Sequence, residues 1–538
     1  MKDKLSLTGA QAIIQTLRAF HIDTIFGIPG VHTLPLYNVL RDETGMRHIL
    51  ARHEQGAGFM AEGYARITGT PGVVFTITGP GVTNVATPVA SAYADSIPLL
   101  VVSSSAPTSS RGRLRGELHE VKDQLGVMNA LAGWTREIRS VEEIPSALLE
   151  AFRAMRQGRP RGAYLQVPSD LLDAKAQVEI PTELRVEPLA PSQSAIIAAA
   201  RLLRTAQRPL IFVGTGVTAA GANTLLRQLA ERLQAPVLLG SKSHDVLASD
   251  HPLALPAAGP LTAELRALIT QSDVALVIGS KLGAERFADE RLPLPPEVIQ
   301  IDIDPAEIGR NYPVTAGVVA DAYPALAALL EMLDNLPTRQ TQADEIARVR
   351  KAAYTSVRSQ YGDCFALLDS IREGLPRNGI IVADMTMPGY ASAQYLPVYE
   401  PRTFIHPSEL CTIGCGLPLA LGAKVAAPER PVVALCGDYG FLLNTGELAT
   451  AVQEQLPIVV VIFNDATLTA VKSEQQRRFS GRYFSTDVRP PDYVALARAF
   501  HAEGVYAENP RELRDALRVA VKHSGPTVIE VPLPVFIS

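Results

Sequence analysis

Residues 437–465 read GDYGFLLNTGELATAVQEQLPIVVVIFND and hold an aspartate near each end, Asp438 after the apolar run PVVALC and Asp465 after the run IVVVIF. Each run is short, rich in β-branched residues and without polar alternation, the pattern of a parallel strand covered on both faces. A helical stretch lies between them, so the segment predicts a right-handed β-α-β crossover whose two strand ends lie side by side. That edge is where open α/β sheets bind their ligands. Asn444, with Glu447 three residues on, is placed as an N-cap, so the helix TGELATAVQEQ is predicted to start close to Asp438. Two carboxylates beside a helix start suit a divalent magnesium or calcium ion carrying a diphosphate. Either aspartate alone also reads as an ordinary turn residue; the spacing and the cap together favour the metal reading.

The same alternation of short apolar runs with longer helical patterns occurs three times, which predicts an α/β fold of three doubly wound parallel-sheet domains. The first, 1–178, contains DTIFGIPG, HILARHE, GVVFTITGPG, PLLVVSSS and GAYLQVPSDLL. A polar, proline-bearing stretch at 173–193 reads as a linker. The second domain, 190–335, contains RPLIFVGTG, APVLLGSKS, VALVIGSKLG and EVIQIDIDPAE. A second linker is read around DNLPTRQTQADEIARV, ahead of a third domain, 355–538, with GIIVADMT, PVVALCGDYG, IVVVIFND and TVIEVPLP. In the middle domain GTGVTAAG misses the dinucleotide spacing, because Ala219 stands where the third glycine belongs; it reads as a strand-to-helix turn, with a nucleotide loop as the alternative.

Composition narrows the function. The 538 residues are 47% hydrophobic and 20% charged, a globular balance. The net charge is −5 and the basic residues are scattered, so there is no electrostatic footprint for nucleic acid or an anionic membrane. The start MKDKLSLTGAQAI lacks the apolar core of a signal peptide, and IVVVIF is too short to cross a bilayer; a soluble, cytoplasmic protein is expected. Cys364, Cys411, Cys415 and Cys436 make no disulfide framework, and CTIGC has no second ligand pair for zinc.

The 437–465 stretch resembles the diphosphate-magnesium motif of thiamine-diphosphate-dependent enzymes, which opens Gly-Asp-Gly and closes about thirty residues later in Asn-Asn. FGIPG, HEQGAGFMAEGYAR, TGPGVTN, AYADSIPLL, IDIDPAEIG, GLPLALGAK and ELATA extend the resemblance, in order, to the acetolactate synthase and 2-oxo acid decarboxylase superfamily. It implies pyrimidine-binding, central and diphosphate-binding domains, with Asp438, Asp465 and the Thr467 carbonyl as magnesium ligands. Two departures stand out: Tyr439 replaces a small residue, and Asp465 replaces asparagine, keeping an oxygen ligand and adding charge. From the sequence alone the favoured reading of Glu54 is an exposed glutamate at a strand end; the resemblance reverses this and implies that Glu54 bonds the pyrimidine N1' and so promotes proton loss from the thiazolium. Further cofactor contacts implied are Pro29, Thr78, Thr386, Met387, Cys411, Gly440, Leu468, Tyr439 and Ile413, the last as an apolar wedge under the thiazolium. Such enzymes are homodimers or homotetramers whose sites lie between subunits. Whether the central domain takes FAD, ADP or nothing stays open.

The implied reaction is decarboxylation of a 2-oxo acid through an enamine, which is then either protonated to an aldehyde or added to a second carbonyl. His32 and His119 are the candidates to handle protons, His32 beside a Val31 that stands where some family decarboxylases place a polar group; a turn cap is the other reading of His32. GIPGVHTLPLY, RHEQGAGFMAEGYAR and GRLRGELHE are most similar to 5-guanidino-2-oxopentanoate decarboxylases. A guanidinium needs carboxylates, and Glu117, Glu120, Asp123 and Glu409 are candidates. Lys472, Arg477, Arg478 and Arg482 instead suggest a basic wall for an anionic second substrate, as in an acetolactate-synthase-like carboligase. Against a strict synthase, Leu118, His119 and Glu120 replace the usual Phe-Gln-Glu. A non-catalytic nucleotide-binding scaffold is the alternative of another class.

Overall fold

The computed structural model describes residues 4–534 apart from 182–185, 257–258, 260, 284–290, 338 and 363. Strand β1 (Leu5–Thr8) leads into the first sheet, made of β2 (Thr24–Gly27), β3 (Arg47–Leu50), β4 (Gly72–Thr76), β5 (Leu99–Ser105), β6 (Trp134–Glu137) and β7 (Gly162–Pro168). Its order is β3-β2-β4-β5-β7-β6 and every pairing is parallel. Strand β8 (Lys175–Val178) returns antiparallel to β1. The opening of the expected linker is therefore structured, while 182–185 lie outside the described residues.

The middle sheet uses β9 (Pro209–Val213), β10 (Val237–Leu239), β11 (Ala254–Pro256), β12 (Val274–Ile278), β13 (Glu297–Asp302) and β14 (Ala316–Val319), in the order β11-β10-β9-β12-β13-β14. The third uses β15 (Ile380–Ala383), β16 (Phe404–Ile405), β17 (Val432–Gly437), β18 (Val459–Asn464), β19 (Glu503–Tyr506) and β20 (Thr527–Pro532), in the order β16-β15-β17-β18-β20-β19. All pairings in both are parallel. The second expected linker runs into the helix Ala343–Tyr361 rather than remaining open chain.

The interior strands explain why this class forms: β4, β5, β9 and β12 are buried at every residue, which a sheet with helices on both faces requires. Near the middle of each sheet the strand order switches direction, between β2 and β4, between β9 and β12, and between β15 and β17. A crevice opens at the carboxyl ends of strands at such a switch. The first and third domains share one hydrophobic core, in which Phe59 and Met60 meet Leu419 and Ala420. Backbone contact between the helices Glu54–Thr68 and Gly416–Ala426 makes this possible: a Cβ on Gly63 would lie 2.2 Å from the Leu419 carbonyl oxygen, and one on Gly422 1.8 Å from that of Met60. The middle domain has its own core.

Candidate active site

At the third-domain switch, Gly437 pairs with Phe463, so Asp438 and Asp465 leave adjacent strands at one edge, as the spacing predicts. Asp438 opens a short helix, Asp438–Leu443. Its Oδ1 accepts from the Tyr439 N–H at 2.7 Å, while its Oδ2 is buried with no hydrogen-bond partner. Burial, with repulsion from Asp465 adding, outweighs that bond and pushes the Asp438 carboxyl up to about 6. Asp465 is also raised, chiefly by burial, although its oxygens accept from the Thr467 N–H (3.2 Å) and the Thr469 hydroxyl. Ala466, at φ 54°, makes the reversal between them. Tyr493 donates to the Asp438 carbonyl at 2.9 Å and fixes the loop from below. Tyr439 is partly exposed, so the departure from a small residue does not fill the crevice floor.

The expected cap is not there. Asn444 spends its amide on the Gly414 carbonyl (2.7 Å), and the next helix, Glu447–Gln453, starts without a side-chain cap. The crossover thus holds two short helices. Glu447 does not close a capping box; its carboxylate accepts from the backbone N–H groups of Arg52 and His53 at 3.0 Å.

A residue the sequence reading missed organises the floor. Buried Asp384 accepts from Met385, Gly414 and Gly416 N–H groups at 2.7, 3.0 and 3.2 Å, tying the end of β15 to the 411–416 loop. That brings Thr386, Met387, Ile413, Gly437 and Gly440 together: a Cβ on Gly440 would lie 3.3 Å from both Asp384 Oδ2 and Ile413 Cγ1, and one on Gly437 3.3 Å from Thr386 Oγ1. Cys411 is exposed, at φ 53°, with its thiol on the Ser408 carbonyl. Thr467 is buried with its hydroxyl on the Thr486 carbonyl, and the Leu468 N–H donates to the same oxygen.

In the first domain, Glu54 opens the helix Glu54–Thr68 and is half-buried rather than free at a strand end. Its Oε2 accepts from Asn84 Nδ2 at 2.9 Å, and Gly81 passes close to Oε1. Pro29 and His32 follow β2, and Thr78 follows β4, on the two sides of that sheet's switch. The His32 and His119 rings are neighbours, with centroids 5.5 Å apart and planes tilted by 48°. Both Nδ1 atoms are buried without a partner among the described residues. Burial, then proximity of His119, hold His32 below its ordinary value, opposed by Glu117. Thr78 points inward and donates to Gln124 Oε1 at 2.8 Å; Gln124 also receives the Gly79 N–H and was not anticipated.

Of the four candidate acidic residues, three are committed elsewhere. Glu120 accepts from the Gly116 and Glu117 N–H groups, Asp123 caps the helix Gln124–Asn129, and Glu409 pairs with Lys242 and Lys281. Glu117 accepts from the Ser110 hydroxyl and remains beside the histidines. In the basic segment Lys472 pairs with Asp487 at 2.5 Å and Arg477 with Glu474 at 2.7 Å, so part of its charge is compensated.

At the middle-domain switch GTGVTAAG forms a turn into the four-residue helix Gly216–Ala219. Gly216 and Gly279 touch backbone to backbone, which accounts for the glycines sterically. A cavity of about 530 Å³ nevertheless opens there between the domains, lined by Thr215, Gly216, Gly279, Lys242, Asp302 and Arg402 among others.

The two carboxylates at one edge, one of them with an unpartnered buried oxygen, fit a hard cation. Among the described residues no group of three or more His, Cys, Asp or Glu side chains is arranged to hold a metal alone, so such an ion needs backbone and ligand oxygens as well. Comparison with known proteins gives the family. Residues 7–127 match the thiamine pyrophosphate enzyme N-terminal TPP binding domain, 196–329 the central domain and 384–531 the C-terminal TPP binding domain. The chain is 37% identical to a probable 2-ketoarginine decarboxylase, AruI, of Pseudomonas aeruginosa, over 99% of this chain and 95% of that protein. It is 33% identical to a probable acetolactate synthase large subunit of Methanocaldococcus jannaschii, over 98% and 92% of the two chains. It is 32% identical to an acetolactate synthase of Mycobacterium bovis, over 96% and 86%. The chain belongs to the thiamine pyrophosphate enzyme family.

Proposed function

We propose that this protein is a thiamine-diphosphate- and magnesium-dependent 2-oxo acid decarboxylase, with 5-guanidino-2-oxopentanoate (2-ketoarginine) as its substrate. Asp438, Asp465 and the Thr467 carbonyl would hold the magnesium and through it the diphosphate; Thr386, Met387, Tyr439, Gly440 and Leu468 would line that end, and Cys411 and Ile413 the thiazolium end. Pro29, Thr78 and Glu54 belong to the pyrimidine end, where Glu54, kept in place by Asn84, would exchange a proton with the aminopyrimidine. When bound, the cofactor would supply a nucleophilic carbon and a cationic thiazolium ring that serves as the sink for the electron pair left as carbon dioxide departs.

The observation that carries decarboxylation over carboligation is the His32–His119 pair, two neighbouring imidazoles whose buried Nδ1 atoms have no partner among the described residues. They can hold a water or a proton at the edge of the site and deliver it to the reacting carbon. The pairing of Lys472 and Arg477 with acidic neighbours supports the same choice, because it weakens the segment's attraction for a second anionic acid. Glu117, the acidic candidate beside the histidines, would receive the guanidinium. A scaffold without catalysis is disfavoured, since it has no use for two mutually repelling buried carboxylates.

Glu54 and Asp438 sit in different domains, and apolar side chains flank both edges: Val31, Leu34 and Leu118 on one, Leu410, Leu443 and Phe484 on the other. We therefore take the working unit as a homodimer or homotetramer in which Glu54 of one subunit completes the site around Asp438 of another. No helix among the described residues is long and apolar enough to cross a membrane. The test supplies 5-guanidino-2-oxopentanoate, pyruvate and benzoylformate separately, with and without thiamine diphosphate and magnesium, and follows carbon dioxide. Release from the guanidino acid that needs both additions supports the proposal; release independent of either sinks it.

A further inference from the structure

The thiazolium side of the site hangs on a segment without regular structure. Between β16, which ends at Ile405, and the helix starting at Gly416, the chain runs through Glu409, Cys411 and Ile413. Its own domain grips this segment near its two ends, where His406 Nδ1 meets the Ala383 carbonyl at 3.0 Å and Gly414 N–H meets Asp384. Between those points the middle domain reaches across. Lys242 Nζ lies 2.6 Å from Glu409 Oε1, and Lys281 Nζ 2.9 Å from Oε2, so each carboxylate oxygen has its own cation.

The grip continues inward. Lys242 also pairs with Asp95 at 3.1 Å, and Arg66 bridges Asp95 (2.8 Å) and Glu62 (2.6 Å). Asp95 and Glu62 are almost wholly buried, so this end of the network is anchored in the first domain and cannot drift with solvent. Asp95 closes the helix Pro80–Asp95, which carries Asn84, the partner of Glu54, near its other end. One ion-pair chain thus joins the first, middle and third domains and ends four residues before Ile413. Two cations on one carboxylate fix direction as well as position, which a single exposed pair does not.

We propose that Glu409 is a positioning residue: held by Lys242 and Lys281, it sets where the Cys411–Ile413 segment stands and makes that position depend on the middle domain. Its consequence for the cofactor rests on the function proposed above; its consequence for the segment does not. Lys242 and Lys281 both line the interdomain cavity, so the same lysines that face that space hold the thiazolium-side loop.

The experiment compares wild type, Glu409→Gln, Lys281→Met and, as control, Asp250→Asn, which breaks the exposed Arg377–Asp250 pair between the same two domains. Hydrogen exchange is followed in peptides spanning 406–416 of the cofactor-free protein, and thiamine diphosphate affinity is measured by calorimetry with magnesium. Glu409→Gln and Lys281→Met are expected to speed exchange in 407–413 and weaken cofactor affinity by about tenfold, the range of a lost charge-assisted contact. Asp250→Asn should do neither, and Glu409→Asp should recover part of both. Exchange in Glu409→Gln and Lys281→Met equal to that of the Asp250→Asn control would overturn the inference. If wild type binds no thiamine diphosphate, the proposed function fails instead, and the exchange data alone decide the role of Glu409.

Discussion

Asp438→Asn should make the metal-free protein more stable while removing its response to magnesium. In the native chain Asp438 ionises only against burial and against Asp465, so its carboxyl is pushed from an ordinary 3.8 up to about 6. A tenfold change in proton affinity corresponds to about 1.4 kcal/mol, so full ionisation above pH 7 would cost up to about 3 kcal/mol. Solvent screening at the open edge of the loop reduces this to about 1–2 kcal/mol. The folded group binds its proton more tightly than the unfolded one, so stability is full below about pH 4 and is lost as pH rises through 6. A neutral asparagine is free of that loss. At pH 8 the variant should therefore melt about 1–2 °C higher than wild type without metal, the small shift expected for a chain of 538 residues, and the difference should vanish near pH 4. Addition of magnesium with thiamine diphosphate should raise the wild-type midpoint strongly and the variant's little. Scanning calorimetry at both pH values, with and without these additions, is sufficient. A variant less stable than wild type at pH 8, or one that keeps the magnesium response, would refute the reasoning.

Three further outcomes follow from the same geometry. Glu54→Gln should keep the fold by circular dichroism and lower turnover by at least about 100-fold, the scale of a lost acid-base group; undiminished activity would remove Glu54 from the mechanism. His119→Asn and His32→Asn should keep carbon dioxide release measurable while shifting the product away from aldehyde, as read by mass spectrometry; an unchanged product ratio in both would dismiss the pair as proton donors. Glu117→Gln should raise KM for 5-guanidino-2-oxopentanoate by about tenfold or more, as expected for loss of one charged contact, and leave KM for pyruvate unchanged if that acid is turned over.

The fold was legible where strands are buried on both faces. The runs behind β4, β5, β9, β12, β17 and β18 are continuous and apolar because helices cover both sides of them. The strands that escaped notice are the antiparallel pair β1 and β8 and, in the three parallel sheets, β6, β11, β14, β16 and β19, each at the edge of its sheet. They are short, and β6 and β14 carry partly or alternately exposed residues, so their sequences lack that signature. The two aspartates were readable for the same reason as the strands they follow. Asp384 and Gln124 were not, because their roles consist of hydrogen bonds to backbone far away in sequence, which leave no periodic trace. Asn444 shows the reverse error: its spacing to Glu447 suits a cap, but the nearby Gly414 carbonyl and the Arg52–His53 turn compete successfully for the two side chains. Glu409 looked like a substrate carboxylate until the middle-domain lysines were placed beside it.

The most direct test of the proposed chemistry is the ratio of aldehyde formed to carbon dioxide released when the wild-type enzyme, loaded with thiamine diphosphate and magnesium, consumes 5-guanidino-2-oxopentanoate. A decarboxylase that protonates its product through His32 and His119 gives one aldehyde for each carbon dioxide. Release of carbon dioxide with little aldehyde and an accumulating longer hydroxy-ketone would contradict it and make the protein a carboligase.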